Sequence, residues 1–314
     1  MISFKEYLQN MDNLYSIGEK IYLSIQEYLG EKSNTGVVVA AGHMGDTVWL
    51  CMYAEAFKKQ HGYERVVYLF WENQVKLAEL YPSIDEIMSI DQDEMNALQF
   101  YMCVNKFYGQ NDIYYGYYHV ENYIMCYPNL SQIIDRHFGV QLSTHTEKMI
   151  GLEENSYRNG LQIPFIPEFE EWKEMFKNSV MLLPAAISVV TVPIEFWVRL
   201  TECLQERGYS VYTNYNNLSC EFVVPGTDSI GMDLVELAAL GQCFKGFVSL
   251  RSGACDLLAQ ADAPLFVLYK EESDKSLYDM KDHRKDSVRD YIWSDEQEEE
   301  IIKDILVNLE TSID

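Results

Sequence analysis

The feature that most limits how this chain can fold is the run Gly36-Val-Val-Val-Ala-Ala-Gly42, followed at once by His43-Met44-Gly45-Asp46-Thr47. A β-branched apolar run has no polar face, so it belongs inside a parallel sheet with both faces covered. Gly42 and Gly45 break the strand, and apolar residues at helical spacing follow through Leu50, Ala54 and Phe57. Such a turn leaves backbone N–H groups beside the positive end of a helix dipole. Open α/β sheets hold phosphates and developing negative charge at that place. Asp46 stands at this edge and offers a carboxylate. The plainer alternative is a first-turn charge that stabilises its helix by ~0.3–1 kcal/mol.

The same alternation fills the first half of the chain. Ser3-x-x-Glu6 is a capping-box pattern for a short helix, and Leu14 to Leu29 recur at helical spacing before Gly30. Strands are predicted over 36–41, 65–71, 84–90 and 112–118, with helices over 46–60, 72–80, 91–107 and 130–138. A polar stretch at 140–160, then Pro164, Pro167 and the acidic Glu168–Glu174, reads as a domain connection. The pattern then restarts with strands at 180–183, 209–213, 244–250 and 265–269 and helices at 194–207, 232–240 and 253–261. Ser294-x-x-Gln297 caps a last helix carrying Ile301, Ile302, Ile305, Leu306 and Leu309. Strands alternating with helices imply an α/β chain of two Rossmann-like lobes. The expected divisions are 1–165, 175–290 and a C-terminal segment, 291–314.

Charge removes several functions. Lys and Arg number 24 against 49 Asp and Glu, a net charge of −25, with no local basic patch. Nucleic acid and anionic membrane surfaces are therefore disfavoured as partners. No apolar run approaches the ~18 residues of a membrane span, and the opening Met-Ile-Ser-Phe-Lys-Glu lacks a signal peptide's apolar core, so no secretory leader is expected. Seven scattered cysteines without a C-x-x-C pair suit a reducing compartment, so a cytoplasmic location is expected. The turn at Gly42–Asp46 lacks the third glycine of a dinucleotide fingerprint, which weighs against an NAD-dependent dehydrogenase. Asp91-x-Asp93 is similar to a known type of paired-acid metal site, but it precedes a helix, where such acids usually cap. No metal site is expected.

A second turn matches the first. Gly246-Phe-Val-Ser-Leu-Arg251-Ser252-Gly253 again runs from an apolar strand into a helix, and Arg251 brings a fork of donors suited to a diphosphate. Alternatively, Arg251 pairs with Asp256 as a structural bridge. His43 could donate to a phosphate or an acceptor, or merely be tolerated in its turn. Tyr114, Tyr115, Tyr117, Tyr118, His119 and Tyr123 form a dense aromatic cluster whose flat faces suit sugar rings, although alternation in a strand would place half of them in the core.

Together the two turns, with Val180-Met-Leu-Leu-Pro184-Ala-Ala and the helix at Ile194, resemble the glycosyltransferase family that contains the lipopolysaccharide heptosyltransferases. The resemblance covers most of the chain in order and spacing and is specific only in the two glycine turns. It implies a GT-B fold with an inter-lobe cleft and a C-terminal helix packing back on the first lobe. It also implies inverting, metal-independent transfer from a nucleoside-diphosphate sugar to a glycan or other hydroxyl acceptor, with no cofactor. Asp46 maps onto the family's general base. Gly45, His43, Pro184, Ala185, Ala186, Asn214, Tyr215, Arg251, Ser252, Gly253 and Asp256 are then donor-side candidates, and Thr47, Tyr115, Tyr117 and His119 acceptor-side ones. Two departures stand out: the family's Asp-Ser/Thr-Gly is Arg251-Ser252-Gly253 here, and its following His is Asp256. The Lys expected before the second-lobe helix is replaced by Thr191-Val192-Pro193, so Arg251 is expected to supply the missing cation. The rival readings are a nucleotide-sugar epimerase of the same fold and a non-catalytic member that binds a nucleotide sugar or a partner.

Overall fold

Strand β1 (Thr35–Ala40) is buried at all six residues, as its composition demands. It lies between β2 (Arg65–Trp71) and β4 (Ile113–Tyr115), with β3 (Glu86–Ile90) beyond β2; every pairing is parallel, in the order β3-β2-β1-β4. The structure, a computed structural model, describes residues 4–40, 42, 44–105, 111–115, 142–186, 189–215, 222–272, 275, 278–283 and 285–311. The helix predicted over 130–138 lies outside them. Contacts divide the chain into two units, Met1–Gly160 and Leu161–Asp314.

The first unit's helices are α1 (Phe4–Glu31), α2 (Met44–Met52), α3 (Ala54–His61), α4 (Val75–Ala78), α5 (Gln92–Asn105) and α6 (Leu142–Met149). α1 is one helix of 28 residues where the sequence predicts two. Tyr22 and Ile25 join Val37, Val39, Leu98 and Met102 in the core beneath it. Gly18 permits this seat, because a Cβ there would strike the Ala97 carbonyl and Tyr101 Cβ on α5. The single helix predicted over 46–60 is broken at Tyr53, whose φ and ψ are −95° and 2°. Asn159 mends the break: its N–H donates to the Met52 carbonyl (2.8 Å), its Nδ2 to the Cys51 carbonyl (3.3 Å), and its Oδ1 accepts from Glu55 N (3.4 Å). Backbone groups freed by a kink need such partners.

In the second unit, β5 (Ser179–Leu183), β6 (Ser210–Asn214), β7 (Asp228–Ile230), β8 (Gly246–Leu250), β9 (Leu265–Tyr269) and β10 (Val288–Ile292) form a parallel sheet ordered β10-β9-β8-β5-β6-β7. Counted from β5, this is the strand order 6-5-4-1-2-3 of a dinucleotide-binding fold. The edge strands β7 and β10 are absent from the sequence prediction. The helices are α7 (Phe169–Phe176), α8 (Ile194–Glu206), α9 (Leu234–Leu240), α10 (Gly253–Gln260) and α11 (Glu298–Thr311). Alternation along β5 sends Val180 and Leu182 to one face, with Trp197 and Leu200 of α8, and Met181 and Leu183 to the other, with Leu237 of α9 and Leu258 of α10.

One expectation needs correction. The acidic stretch read as a linker is largely α7, anchored by buried Phe176, which stacks on Phe244 at 4.5 Å. The last helix, α11, contributes its apolar stripe to the second unit. Ile301, Ile302, Ile305, Leu306 and Leu309 are buried in the second unit's own core with Phe196, Trp197 and Leu200. Gly246 makes room for that packing, since a Cβ there would lie 2.6 Å from Leu309 Cδ2. Arg199 adds ion pairs to Glu298 (3.3 Å) and Glu299 (2.7 Å). Among the described residues, no helix is long and apolar enough to cross a membrane.

Candidate functional site

Ligands of open parallel sheets sit beyond the C-terminal ends of the strands, where strand order reverses. In the first sheet that point lies between β1 and β4, where Val39 is in register with Tyr115. Helix α2 begins at Met44, two residues earlier than predicted, so Gly45 and Asp46 fall in its first turn, both half-buried. Gln74, only 1% exposed, reaches over from the end of β2 and donates Nε2 to the Gly42 carbonyl at 2.7 Å. Sequence reasoning misses Gln74, because nothing in Glu72-Asn73-Gln74 marks one polar residue for burial.

The acceptor-side candidates fare unevenly. Thr47 is fully buried and its Oγ1 has no hydrogen-bond partner among the described residues, so it is not presented to an acceptor. Tyr115 is placed by its backbone at the switch point, while His43, Tyr117 and His119 lie outside the described residues. Tyr114 belongs to internal packing: its ring meets Phe57 edge-on at 4.8 Å. His61 Nε2 donates to the Ile150 carbonyl (2.9 Å), which leaves Nδ1 to accept from the Tyr114 hydroxyl (3.1 Å). Asp91 closes a capping box at the head of α5, accepting from Glu94 N at 2.8 Å.

In the second sheet the order reverses between β5 and β8, with Leu183 opposite Ser249. Two of the three stretches chosen on the donor side meet here. Pro184 (buried), Ala185 and Ala186 (both half-exposed) leave β5, and Arg251-Ser252-Gly253 leaves β8. Ser252 is extended (φ −152°, ψ 171°), partly exposed, and makes no capping bond to α10, which starts at Gly253. The third stretch differs from expectation. Asn214 is 5% exposed and its amide turns to the chain's own backbone, accepting from Met232 N (2.9 Å) and donating to the Met232 carbonyl (3.2 Å). It ties the end of β6 to residue 232. Tyr215, next to it, is 37% exposed.

Arg251 and Asp256 require the largest correction. The guanidinium is 6% exposed and faces inward: Nη1 and Nη2 donate to Asp256 Oδ2 (2.8 Å) and Oδ1 (2.9 Å), and Nε donates to the Tyr278 carbonyl (2.8 Å). Asp256, wholly buried, also meets His283 Nε2 at 3.0 Å. Burial opposes the charge on Arg251, but the adjoining carboxylate outweighs it and raises the guanidinium's pKa. Burial likewise opposes the Asp256 charge, yet Arg251 and the His283 hydrogen bond hold that carboxyl below its usual range. Neither residue is presented as a phosphate ligand, so the structural bridge is what the fold adopts. Nearby, Asp290 is pushed up to about 6 by burial and by Asp279. Asp290 receives the Tyr269 hydroxyl and Met280 N, both at 3.3 Å.

No family sequence model matches the chain, and no curated protein matches it. Solved structures do. A glycosyl transferase family 9 protein from Veillonella parvula superposes with a TM-score of 0.60 at 15% identity, covering 89% of this chain and 98% of that one. ADP-heptose lipopolysaccharide heptosyltransferase II of E. coli gives 0.58 at 12% identity, over 88% and 99%. The E. coli heptosyltransferase WaaC with ADP gives 0.54 at 10% identity, over 88% and 99%. Coverage near nine-tenths includes residues of both units. This chain therefore has the two-lobe, GT-B-type fold of the heptosyltransferase-like glycosyltransferases.

Proposed function

We propose that this chain is a metal-independent, inverting glycosyltransferase that moves a sugar from a nucleoside-diphosphate sugar to a hydroxyl of a glycan or similar acceptor. The observation that carries the reading is the second sheet's strand order. It brings the Pro184–Ala186 loop and the Ser252–Gly253 head of α10 to one switch point, where backbone N–H groups and a helix dipole favour a diphosphate. Ser252, Gly253, Ala185, Ala186 and Tyr215 are the donor-side residues of this reading. Asp46, in the first turn of α2, is the general base: it takes the acceptor hydroxyl's proton as that oxygen attacks the anomeric carbon. N–H groups at the head of α10 stabilise the charge growing on the departing diphosphate. His43 is assigned to the donor side of this reading, and Tyr115, Tyr117 and His119, whose flat rings suit a sugar, to the acceptor side. The free thiols Cys51, Cys103, Cys203, Cys243 and Cys255 fit a reducing, cytoplasmic setting.

The test is a melting screen of the full chain against ADP, UDP, GDP and CDP. A diphosphate present at 100 times its Kd stabilises the folded state by about 2.7 kcal/mol and raises Tm accordingly. One of the four is expected to do so; no shift from any of them at millimolar concentration sinks the reading. With the matching nucleotide sugar, release of the diphosphate should require an acceptor and persist in a chelator. Turnover with no acceptor present would instead identify an epimerase.

A further inference from the structure

We propose that Arg251 is a positioning residue: it pins the Ser252 carbonyl inside the fold and thereby aims the Gly253 N–H at the donor's diphosphate. Asp256 and His283 form its buried buttress. The inference rests on the reading of the second turn as the diphosphate site, and it replaces direct contact by a cation with control of a peptide's direction.

The Ser252 carbonyl accepts from Arg251 Nη1 at 2.5 Å and from Cys255 N at 3.0 Å. A trans peptide is planar, with its C=O and N–H pointing opposite ways. Fixing the Ser252 oxygen against a buried guanidinium therefore turns the Gly253 N–H away from it. As the first residue of α10, Gly253 has no intrahelical acceptor for that N–H. The donor consequently points outward from the buried network at the switch point, at the positive end of the helix.

The guanidinium is held along three edges. Asp256 takes Nη1 and Nη2, the Tyr278 carbonyl takes Nε, and Nη1 also reaches Ser252. A planar fork meets all of these at once; a lysine ammonium, a point charge on a flexible stem, does not. His283, its side chain 2% exposed, meets Asp256 Oδ1 at 3.0 Å, the same oxygen that Arg251 Nη2 reaches. The two departures from the family pattern are thus one compensated change, a cation at 251 matched by an acid at 256. Stability alone does not account for the pair, because apolar residues of similar volume often serve a buried site as well or better. What apolar residues cannot do is hold a carbonyl.

The experiment is calorimetric titration of native chain and variants with ADP, UDP, GDP and CDP, each beside its parent nucleoside, with a melting curve for every variant. The double variant Arg251→Met with Asp256→Leu removes both charges together and is expected to fold. Its diphosphate affinity should fall about 10- to 100-fold, the worth of a hydrogen bond to a charged group, while nucleoside affinity stays put. Arg251→Lys keeps the charge and should show the same split, whether or not the double variant folds. A folded variant that binds diphosphate as tightly as native chain overturns the inference alone. So does equal weakening of nucleoside and diphosphate. If native chain binds none of the four diphosphates, the underlying reading falls, and the inference with it.

Discussion

The two turns that look alike in the sequence are treated oppositely by the fold. At Gly42–Thr47 the carboxylate of Asp46 stays half-exposed at the head of α2, and a neutral amide, Gln74, steadies the turn from within. At Arg251–Gly253 both charges are turned inward and satisfy each other, leaving the backbone as the surface that faces out. The same strand–turn–helix string can therefore present a charge or use one as scaffolding. What decides is a partner far along the chain: Gln74 is 32 residues from Gly42, and His283 is 27 from Asp256.

That contrast can be broken most sharply at the two acids. Asp46→Asn should lower turnover by roughly 10²- to 10⁴-fold, the usual share of a general base, and leave the diphosphate's Kd within about twofold. An unchanged turnover would make Asp46 a mere helix charge. Asp256→Ala should act on stability instead, lowering the unfolding free energy by about 3–5 kcal/mol in urea because Arg251 is left buried and unpaired. A loss below ~1 kcal/mol would mean that the pair is not buried as described.

Two smaller effects sharpen the comparison. Asp290 has its carboxyl pKa raised in the folded state, so the fold binds more protons than the unfolded chain from about pH 4 to about pH 6, and native stability declines as pH climbs through that window. Asp290→Asn lacks this decline. Its stability relative to native should grow by about 1–2 kcal/mol between pH 4 and pH 7, allowing for partial solvent screening, and stay level above. A gain equally large at pH 4 would contradict the assignment. Gln74→Leu removes one neutral hydrogen bond at the first turn and should cost about 1 kcal/mol in a denaturant melt, without altering diphosphate affinity. A change in that affinity would show that the turns are not separable.

Much of the scaffold is legible in the residues. Buried apolar runs such as Val37–Val39 and Val180–Leu183 announce central parallel strands, and helical spacing locates α8 and α11. The edge strands are not: Asp228–Ile230 is short and mostly exposed, and Val288–Ile292 mixes charge with apolar residues, so neither carries a clear period. The break at Tyr53 is equally silent, since its cause, Asn159, comes from a distant segment. At the candidate site, both fates of Arg251 are readable, but the choice between them depends on the Tyr278 carbonyl and His283, which no local motif connects to residue 251. Thr47 and Asn214 mislead for the same reason: sequence places a polar group near a turn without telling which way it points.

Asn159 also carries a mechanical consequence. The chain passes from Gly160 into Leu161 one residue after the three bonds that Asn159 makes at the α2–α3 junction. The tether between the units is thus moored to the far end of the helix that bears Asp46. Tension applied along the strand of chain at 161 would load that mooring first.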